Sequence, residues 1–168
     1  MQNNHSICAY DIDCVDLAGK PLPLRQFSGQ PLLIINTASL CGFSPQFREL
    51  EDIWQKNKSK GLVVLGVPSN EFGHQEPGSS SQIMSLCTTK FGISFPLLAK
   101  TLVRGADAHP LFQFLRQEGG FLAKPHWNFY KYIIGRDGHL KSWFSSLTSP
   151  NTTCFRQAVE KAVEAPAL

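Results

Sequence analysis

Two uninterrupted apolar runs, separated by a segment with helical spacing, constrain the fold more than any other feature of the sequence. Leu32–Asn36 and Leu62–Val67 have the length and continuity of buried strands rather than of helices. Between them, apolar residues recur at helical spacing from Phe47 to Asn57. A strand, a helix and a second strand with short connections predict a parallel pair joined by a right-handed crossover.

The rest of the chain adds a hairpin on each side of this unit and further helices. Turn chemistry between apolar runs predicts the hairpins, and apolar periodicity predicts the helices. The predicted elements are a hairpin over Ile12–Leu24, a helix over Ser79–Lys90, a strand over Phe95–Ala99, a helix over Ala108–Gln117, a hairpin made by Phe129–Ile134 and His139–Phe144, and a C-terminal helix marked by Phe155, Val159 and Val163. We also expect Ser44 to cap the first helix, with Pro45 in its first turn.

This order of elements predicts an α/β domain with a mixed sheet, as in the thioredoxin fold. The 168 residues fit one domain, 1–168, and no internal repeat or linker divides it. The net charge of +3 and the scattered basic residues argue against a nucleic-acid binder. No stretch approaches membrane-spanning length, and Met1–Tyr10 lacks the features of a secretory signal, so we expect a cytoplasmic protein.

The cysteines are five in number and widely spaced, at positions 8, 14, 41, 87 and 154. An odd number without a secretory signal does not indicate a disulfide framework. No pair has Cys-x-x-Cys spacing, so the sequence predicts neither a zinc site nor a dithiol motif. A reducing compartment would leave these thiols free unless one of them is activated.

Four places in the sequence carry reactive or hydrogen-bonding side chains that are candidates for a functional site. Cys41 follows a buried strand and precedes a helix, where backbone N–H groups and the helix dipole favour a thiolate. Its polar loop argues against full burial, although most free cysteines are small buried apolar residues. Gln75, and the pair Trp127 and Asn128, carry N–H donors, but ordinary loop and core roles would also explain them. For Cys87, function and core packing remain open.

Taken together, these segments resemble the glutathione peroxidase family, in its cysteine-containing, non-selenium form. The segments that carry the resemblance are NTASLCGFSPQFREL (36–50), LVVLGVPSNEFGHQEPGS (62–79), CTTKFGISFPLLAK (87–100), AHPLFQFL (108–115) and WNFYKYIIGRDG (127–138). They occur in the family's order and at its spacing, from about Tyr10 to Val163.

The resemblance implies a catalytic tetrad and a second cysteine. Cys41 corresponds to the peroxidatic cysteine, and Gln75, Trp127 and Asn128 correspond to the family's hydrogen-bond donors. Cys87 corresponds to the resolving cysteine of the members that use thioredoxin. The implied activity is reduction of hydrogen peroxide and organic or lipid hydroperoxides, with a Cys41 sulfenic acid, a Cys41–Cys87 disulfide, and no prosthetic cofactor or metal.

Thioredoxin is the expected reductant, because no cluster of arginines is evident to hold the carboxylates of glutathione; Arg48 and Arg104 are isolated. A glutathione-dependent one-cysteine peroxidase and a peroxide-driven redox relay are the alternatives, and a non-catalytic binding module is a third. The short segment between Gln117 and His126 resembles the monomeric members of the family. It would leave the site open to lipid hydroperoxides, with Phe43, Phe72 or Phe129 lining the approach.

The chain departs from the family at two places, Ser69, where a further cysteine often occurs, and Leu40, where a charge often occurs. Ser69 puts in doubt a role for a third thiol, and Leu40 bears on substrate access. Because Cys41 and Cys87 lie on different elements, their Cα atoms are expected to lie farther apart than the roughly 7 Å that a disulfide spans. We therefore expect local unfolding around Cys87 during the cycle, and we expect Cys8, Cys14 and Cys154 to be bystanders.

Overall fold

The computed structural model describes residues 6–168. The prediction that the sequence has no secretory signal was made on Met1–Tyr10, and the first five of these residues lie outside the described part. Within the described residues the strands are β1 (Asp13–Val15), β2 (Pro21–Pro23), β3 (Leu32–Thr37), β4 (Val63–Pro68), β5 (Lys131–Ile134) and β6 (Leu140–Phe144). The α-helices are α1 (Gln46–Asn57), α2 (Ser80–Ser85), α3 (Pro110–Gly119) and α4 (Thr153–Glu164). A single π-helical turn, Leu86–Lys90, continues α2.

The larger sheet is mixed and has the strand order β4-β3-β5-β6. The strands β3 and β4 are parallel, with Leu33 opposite Val64, which confirms the predicted parallel pair. β5 runs antiparallel to β3 and pairs with β6 in the predicted second hairpin. The strands β1 and β2 form the separate N-terminal hairpin that the sequence predicted.

The central strand β3 is buried on both faces of the sheet. Its side chains alternate between the faces, as they must in a strand. Leu32 and Ile34 join one apolar cluster, which α3 covers, and Leu33 and Ile35 join the other, which α1 and α4 cover. This two-sided burial explains why the run is continuously apolar rather than alternating.

Two local predictions were wrong. The residue at the capping position of α1 is Pro45 rather than Ser44, and no side chain caps the helix. The predicted strand over Phe95–Ala99 is reduced to isolated bridges, one between Leu97 and Gly66 and one between Leu98 and Asp16. Pro96 lies within this segment and has no N–H to donate, so it interrupts a continuous ladder.

The predicted helix over Ser79–Lys90 is confirmed in part, because only its first half is α-helical. Ser79 caps α2 through a capping box with Gln82. None of the helices within residues 6–168 combines the length and the apolar character that a membrane span requires.

Gly66 allows the Phe95–Ala99 segment to pack closely against β4. A Cβ at this position would lie 2.6 Å from Leu97 Cδ2 and 3.4 Å from the ring of Phe95, both buried. We therefore expect Gly66→Ala to lower the free energy of unfolding by about 1–3 kcal/mol, measured by urea denaturation. Gly42→Ala is the control, because its Cβ would meet nothing within 4 Å. Equal stabilities of the two variants would contradict this packing.

Candidate active site

Cys41 lies in the turns between β3 and α1. Its side chain is only 4% exposed, so it is more buried than the polar loop led us to expect. The backbone N–H of Phe43 donates to its Sγ at 3.4 Å, and the N–H of Ser44 donates to its carbonyl at 2.9 Å. A fixed donor directed at the sulfur stabilises a negative charge there.

The loop after β4 is hydrogen-bonded to the loop that carries Cys41. The backbone N–H of Leu40 donates to the carbonyl of Gln75 at 3.0 Å. The carboxylate of Glu76 accepts from the N–H and the hydroxyl of Ser39, at 2.8 and 2.9 Å. Glu76 and Ser39 are both buried. These three bonds fix the position of Gln75 relative to the Cys41 loop.

Asn36, at the end of β3, holds the segment that precedes β5. Its side chain donates to the carbonyl of Trp127 at 2.9 Å and accepts from the N–H of Tyr130 at 3.0 Å. Its own carbonyl accepts from the N–H of Phe129 at 2.7 Å. Phe129 has a φ of 64°, in the left-handed region that non-glycine residues rarely adopt, and these bonds stabilise it there.

The side chains of Gln75, Trp127 and Asn128 lie close to one another. The Asn128 amide donates to Oε1 of Gln75 at 3.0 Å, which leaves the amide nitrogen of Gln75 as the end that can donate. Gly73 lies between Trp127 and Gln75, because a Cβ at position 73 would be 3.1 Å from the Trp127 ring and 3.3 Å from the Gln75 amide. Trp127 is partly exposed and Asn128 is buried. Donation from Asn128 to the sulfur stays a prediction, because here its amide donates to Gln75 and to the carbonyl of Phe72.

Cys87 lies in the π-helical turn and is only 1% exposed. Burial raises the pKa of its thiol to about 11, the Ser39 side chain opposes this, and the charge of Glu76 adds to it. Cys87 is therefore a protonated thiol at neutral pH. Cys41 and Cys87 belong to the same apolar cluster, and both are free thiols.

The other three cysteines lie elsewhere. Cys14 packs in the apolar cluster on the opposite face of the sheet, and burial raises the pKa of its thiol to about 12. Cys8 packs against that same cluster, and Cys154 is exposed at the start of α4. These positions support the prediction that they are bystanders.

Sequence reasoning missed three buried polar residues at the site: Ser39, Glu76 and Lys131. The Lys131 ammonium donates to Oε1 of Gln46 and to the carbonyl of Phe129, both at 2.8 Å. Burial lowers the pKa of Lys131 to about 7, against the opposing charge of Glu49. The lysine stands in the strand KYII, which is buried throughout. That context was the one signal available, since a lysine in a buried strand requires partners.

Comparison with known proteins gives one consistent result. A family model described as glutathione peroxidase matches residues 9–116. A glutathione peroxidase-like peroxiredoxin of Chlamydomonas reinhardtii is 41% identical over 143 residues, which cover 84% of this chain and 88% of the relative. A hydroperoxy fatty acid reductase of Synechocystis is 40% identical over 158 residues, covering 89% and 92%.

A solved structure has the same overall architecture. The crystal structure of Trgpx in apo form superposes with a TM-score of 0.79 at 33% identity, covering 97% of this chain and 99% of that one. The predicted thioredoxin fold, with its mixed sheet, flanking helices and N-terminal hairpin, is confirmed.

Lys131 gives stability a pH dependence whose sign follows from the pKa values. An unfolded lysine has a pKa of about 10.4, whereas the folded pKa is about 7. Between these values the unfolded chain binds more protons, so the free energy of unfolding rises with pH, by up to about 1.4 kcal/mol per unit. We expect wild type to gain stability relative to Lys131→Met as the pH is raised from about 7 to about 9.

Urea denaturation of both proteins across that range measures this difference. The comparison cancels the titration of every other group that the two proteins share. A difference that stays constant with pH would show that Lys131 keeps its ordinary pKa in the folded state.

Proposed function

The chain belongs to the glutathione peroxidase family and is a thiol peroxidase, and on that premise we propose that Cys41 is its peroxidatic residue. The observation that carries the assignment is the position of Cys41. Its sulfur has a backbone donor from Phe43, and its loop is hydrogen-bonded to the loop of Gln75. Gln75 in turn contacts Asn128 and lies beside Trp127.

In the first step, the Cys41 thiolate attacks one oxygen of the hydroperoxide. An S–O bond forms, the O–O bond breaks, and the departing oxygen takes a proton and leaves as water or an alcohol. Cys41 is oxidised to a sulfenic acid. The amide nitrogen of Gln75 and the indole nitrogen of Trp127 donate to the oxygens on which charge develops. Asn128 acts on Gln75, because its amide holds the Gln75 oxygen and so orients the donor.

In the second step, Cys87 attacks the sulfenic acid and closes a Cys41–Cys87 disulfide with loss of water. This removes the sulfenic acid before a second peroxide can convert it to the irreversible sulfinic acid. The π-helical turn at Cys87 supports the predicted local opening, because single π turns are irregular and occur often at functional sites. One anchor of this turn is the bond from Arg48 to the carbonyl of Lys90, at 2.8 Å.

A dithiol protein of the thioredoxin type is the proposed reductant. Both candidate arginines for binding glutathione carboxylates are already engaged. Arg48 bonds to the Lys90 carbonyl, and Arg104 bonds to the Glu71 carbonyl and lies 3.9 Å from the Glu71 carboxylate. A glutathione-dependent one-cysteine peroxidase is the alternative. A redox relay uses the same chemistry with a partner protein as the final acceptor of the disulfide.

Hydrogen peroxide and organic or lipid hydroperoxides are the proposed substrates. Leu40 is 58% exposed beside Cys41, and with Pro77, Ile83 and Leu86 it lines a groove of about 340 Å³. An acyl chain would find apolar contacts there, which agrees with the similarity to a fatty acid hydroperoxide reductase. The expectation that Phe72 and Phe129 line the approach was wrong, because both are buried in the core.

We keep two further predictions as proposals. The short segment between Gln117 and His126, which contains the turn Phe121–Ala123, supports a monomer. The five free cysteines support a reducing compartment such as the cytoplasm.

Replacing each cysteine separately tests the two-step cycle. We expect Cys41→Ser to lose peroxide turnover by about a thousandfold or more, because it removes the nucleophile. Cys87→Ser should lose steady-state turnover with thioredoxin but still consume one equivalent of peroxide. The measurement is consumption of hydrogen peroxide and of an organic hydroperoxide, with thioredoxin or glutathione as the reductant.

Cys154→Ser is the matched control, because Cys154 is exposed and outside the site. It should retain the wild-type rate. Full turnover of Cys87→Ser with glutathione would contradict the two-cysteine cycle and establish a one-cysteine peroxidase. Unchanged turnover of Cys41→Ser would contradict the assignment of Cys41 altogether.

A further inference from the structure

Three buried polar side chains lie behind the segment that carries Trp127 and Asn128, and the two-step cycle uses none of them. They are Gln46, Lys131 and Ser146, which we call the support network. Lys131 is fully buried, and the exposed fractions of Gln46 and Ser146 are 7% and 4%. The three come from different elements: the first residue of α1, the first residue of β5, and the loop that follows β6.

Hydrogen bonds connect these three elements. The Lys131 ammonium donates to Oε1 of Gln46 at 2.8 Å, and the amide nitrogen of Gln46 donates to the carbonyl of Ser146 at 2.8 Å. Both ends of the Gln46 amide are therefore used, one as acceptor and one as donor. An ammonium is costly to bury unless such partners satisfy it. The network ties the start of α1 to β5 and to the loop after β6.

The same side chains hold two consecutive carbonyls beside the site. Lys131 donates to the carbonyl of Phe129 at 2.8 Å, and the Ser146 hydroxyl donates to the carbonyl of Asn128. These carbonyls belong to the two planar peptide groups that flank the Phe129 Cα. Holding both planes fixes the φ and ψ of Phe129, whose φ of 64° is costly for a non-glycine residue. The Phe47 ring packs edge-on against Phe129 at 5.0 Å and supports the same conformation.

The network spans the distance between the nucleophile and its donors. The chain turns from Cys41 into α1, and Gln46 is the first residue of that helix. On the other side, the fixed Phe129 directly follows Asn128, whose amide holds Oε1 of Gln75 at 3.0 Å. The position of the donors relative to the Cys41 loop therefore depends on the network as well as on the loop contacts.

We propose that Lys131, acting with Gln46 and Ser146, is a positioning residue for the reaction of Cys41 with peroxide, an inference that rests on the proposed function. By fixing Phe129, the network keeps the Trp127 indole and the Asn128 amide in place relative to the sulfur. Lys131 itself touches Gln46 and a backbone carbonyl, and it acts through them. A displacement on the order of 1 Å at a reacting centre slows a reaction by about a hundredfold.

The test uses a Cys87→Ser background, so that only the oxidation of Cys41 is followed. The protein receives one equivalent of hydrogen peroxide, is quenched with an alkylating reagent at successive times, and is analysed by mass spectrometry of the Cys41 peptide. We expect Lys131→Met to lower the second-order rate constant by about a hundredfold, because methionine has similar length but no donor. Ser146→Ala loses only the bond to Asn128, and its rate constant should fall about tenfold.

A second rate separates positioning from a general structural defect. Alkylation of Cys41 by iodoacetamide requires an accessible thiolate, and it requires no N–H donor to a departing oxygen. In both variants this rate should stay within about twofold of the background protein. A general loosening would instead expose Cys41, which is only 4% exposed, and so would speed its alkylation.

Two control variants complete the design. Ser146→Thr keeps the hydroxyl and should keep the peroxide rate, which distinguishes the hydrogen bond from the volume of the side chain. Lys141→Met also removes an ammonium, but this lysine is on β6, is half-exposed and pairs with Asp137 at 2.6 Å. Its peroxide rate should match the background.

An unchanged peroxide rate in Lys131→Met or in Ser146→Ala would overturn the inference. Peroxide and alkylation rates that fall together would do so as well, since the thiolate rather than the donors would then have changed. Should Lys131→Met fail to fold, the pair Ser146→Ala and Ser146→Thr decides, and equal slowing of both contradicts the inference. If the Cys87→Ser background itself leaves Cys41 unoxidised, the proposed function fails first, and the inference fails with it.

Discussion

The pairing of β3 with β4 on one side and β5 on the other is the constraint on which the site depends. β3 and β4 are parallel, so both end at the same edge of the sheet, and antiparallel β5 begins there. The strand arrangement alone therefore brings together the loop of Cys41, the loop of Gln75 and the segment of Trp127. Asn36 fixes one of these junctions, and Ser39 with Glu76 fixes another.

The two cysteines lie in different electrostatic surroundings although they share an apolar cluster. Cys41 has a backbone donor on its sulfur and uncharged donors in the adjoining loop. Cys87 is a buried thiol with a raised pKa beside a carboxylate. The difference suits the proposed cycle, in which Cys41 reacts first with peroxide and Cys87 stays protonated until a sulfenic acid has formed. Lys131, buried behind Phe129, supports the site from the core.

Much of the fold could be predicted because it depends on local patterns. The apolar runs of β3 and β4 and the apolar stripe of α1 each predict burial from the local sequence alone. The predictions failed where tertiary contacts, rather than local sequence, determine the secondary structure. The Phe95–Ala99 segment has strand composition but contains Pro96 and meets β4 only around Gly66. The candidate tetrad could be predicted only through family resemblance. The hydrogen bonds between Ser39 and Glu76 could not be predicted at all, since no spacing in the sequence shows which side chains meet.

The most direct test of the central claim is peptide mass spectrometry after one equivalent of peroxide, with a sulfenic-acid probe present. The account predicts the probe on Cys41 alone in Cys87→Ser, and a disulfide that joins the Cys41 and Cys87 peptides in wild type. A probe adduct on another cysteine, or a wild-type disulfide that excludes Cys41, would contradict it.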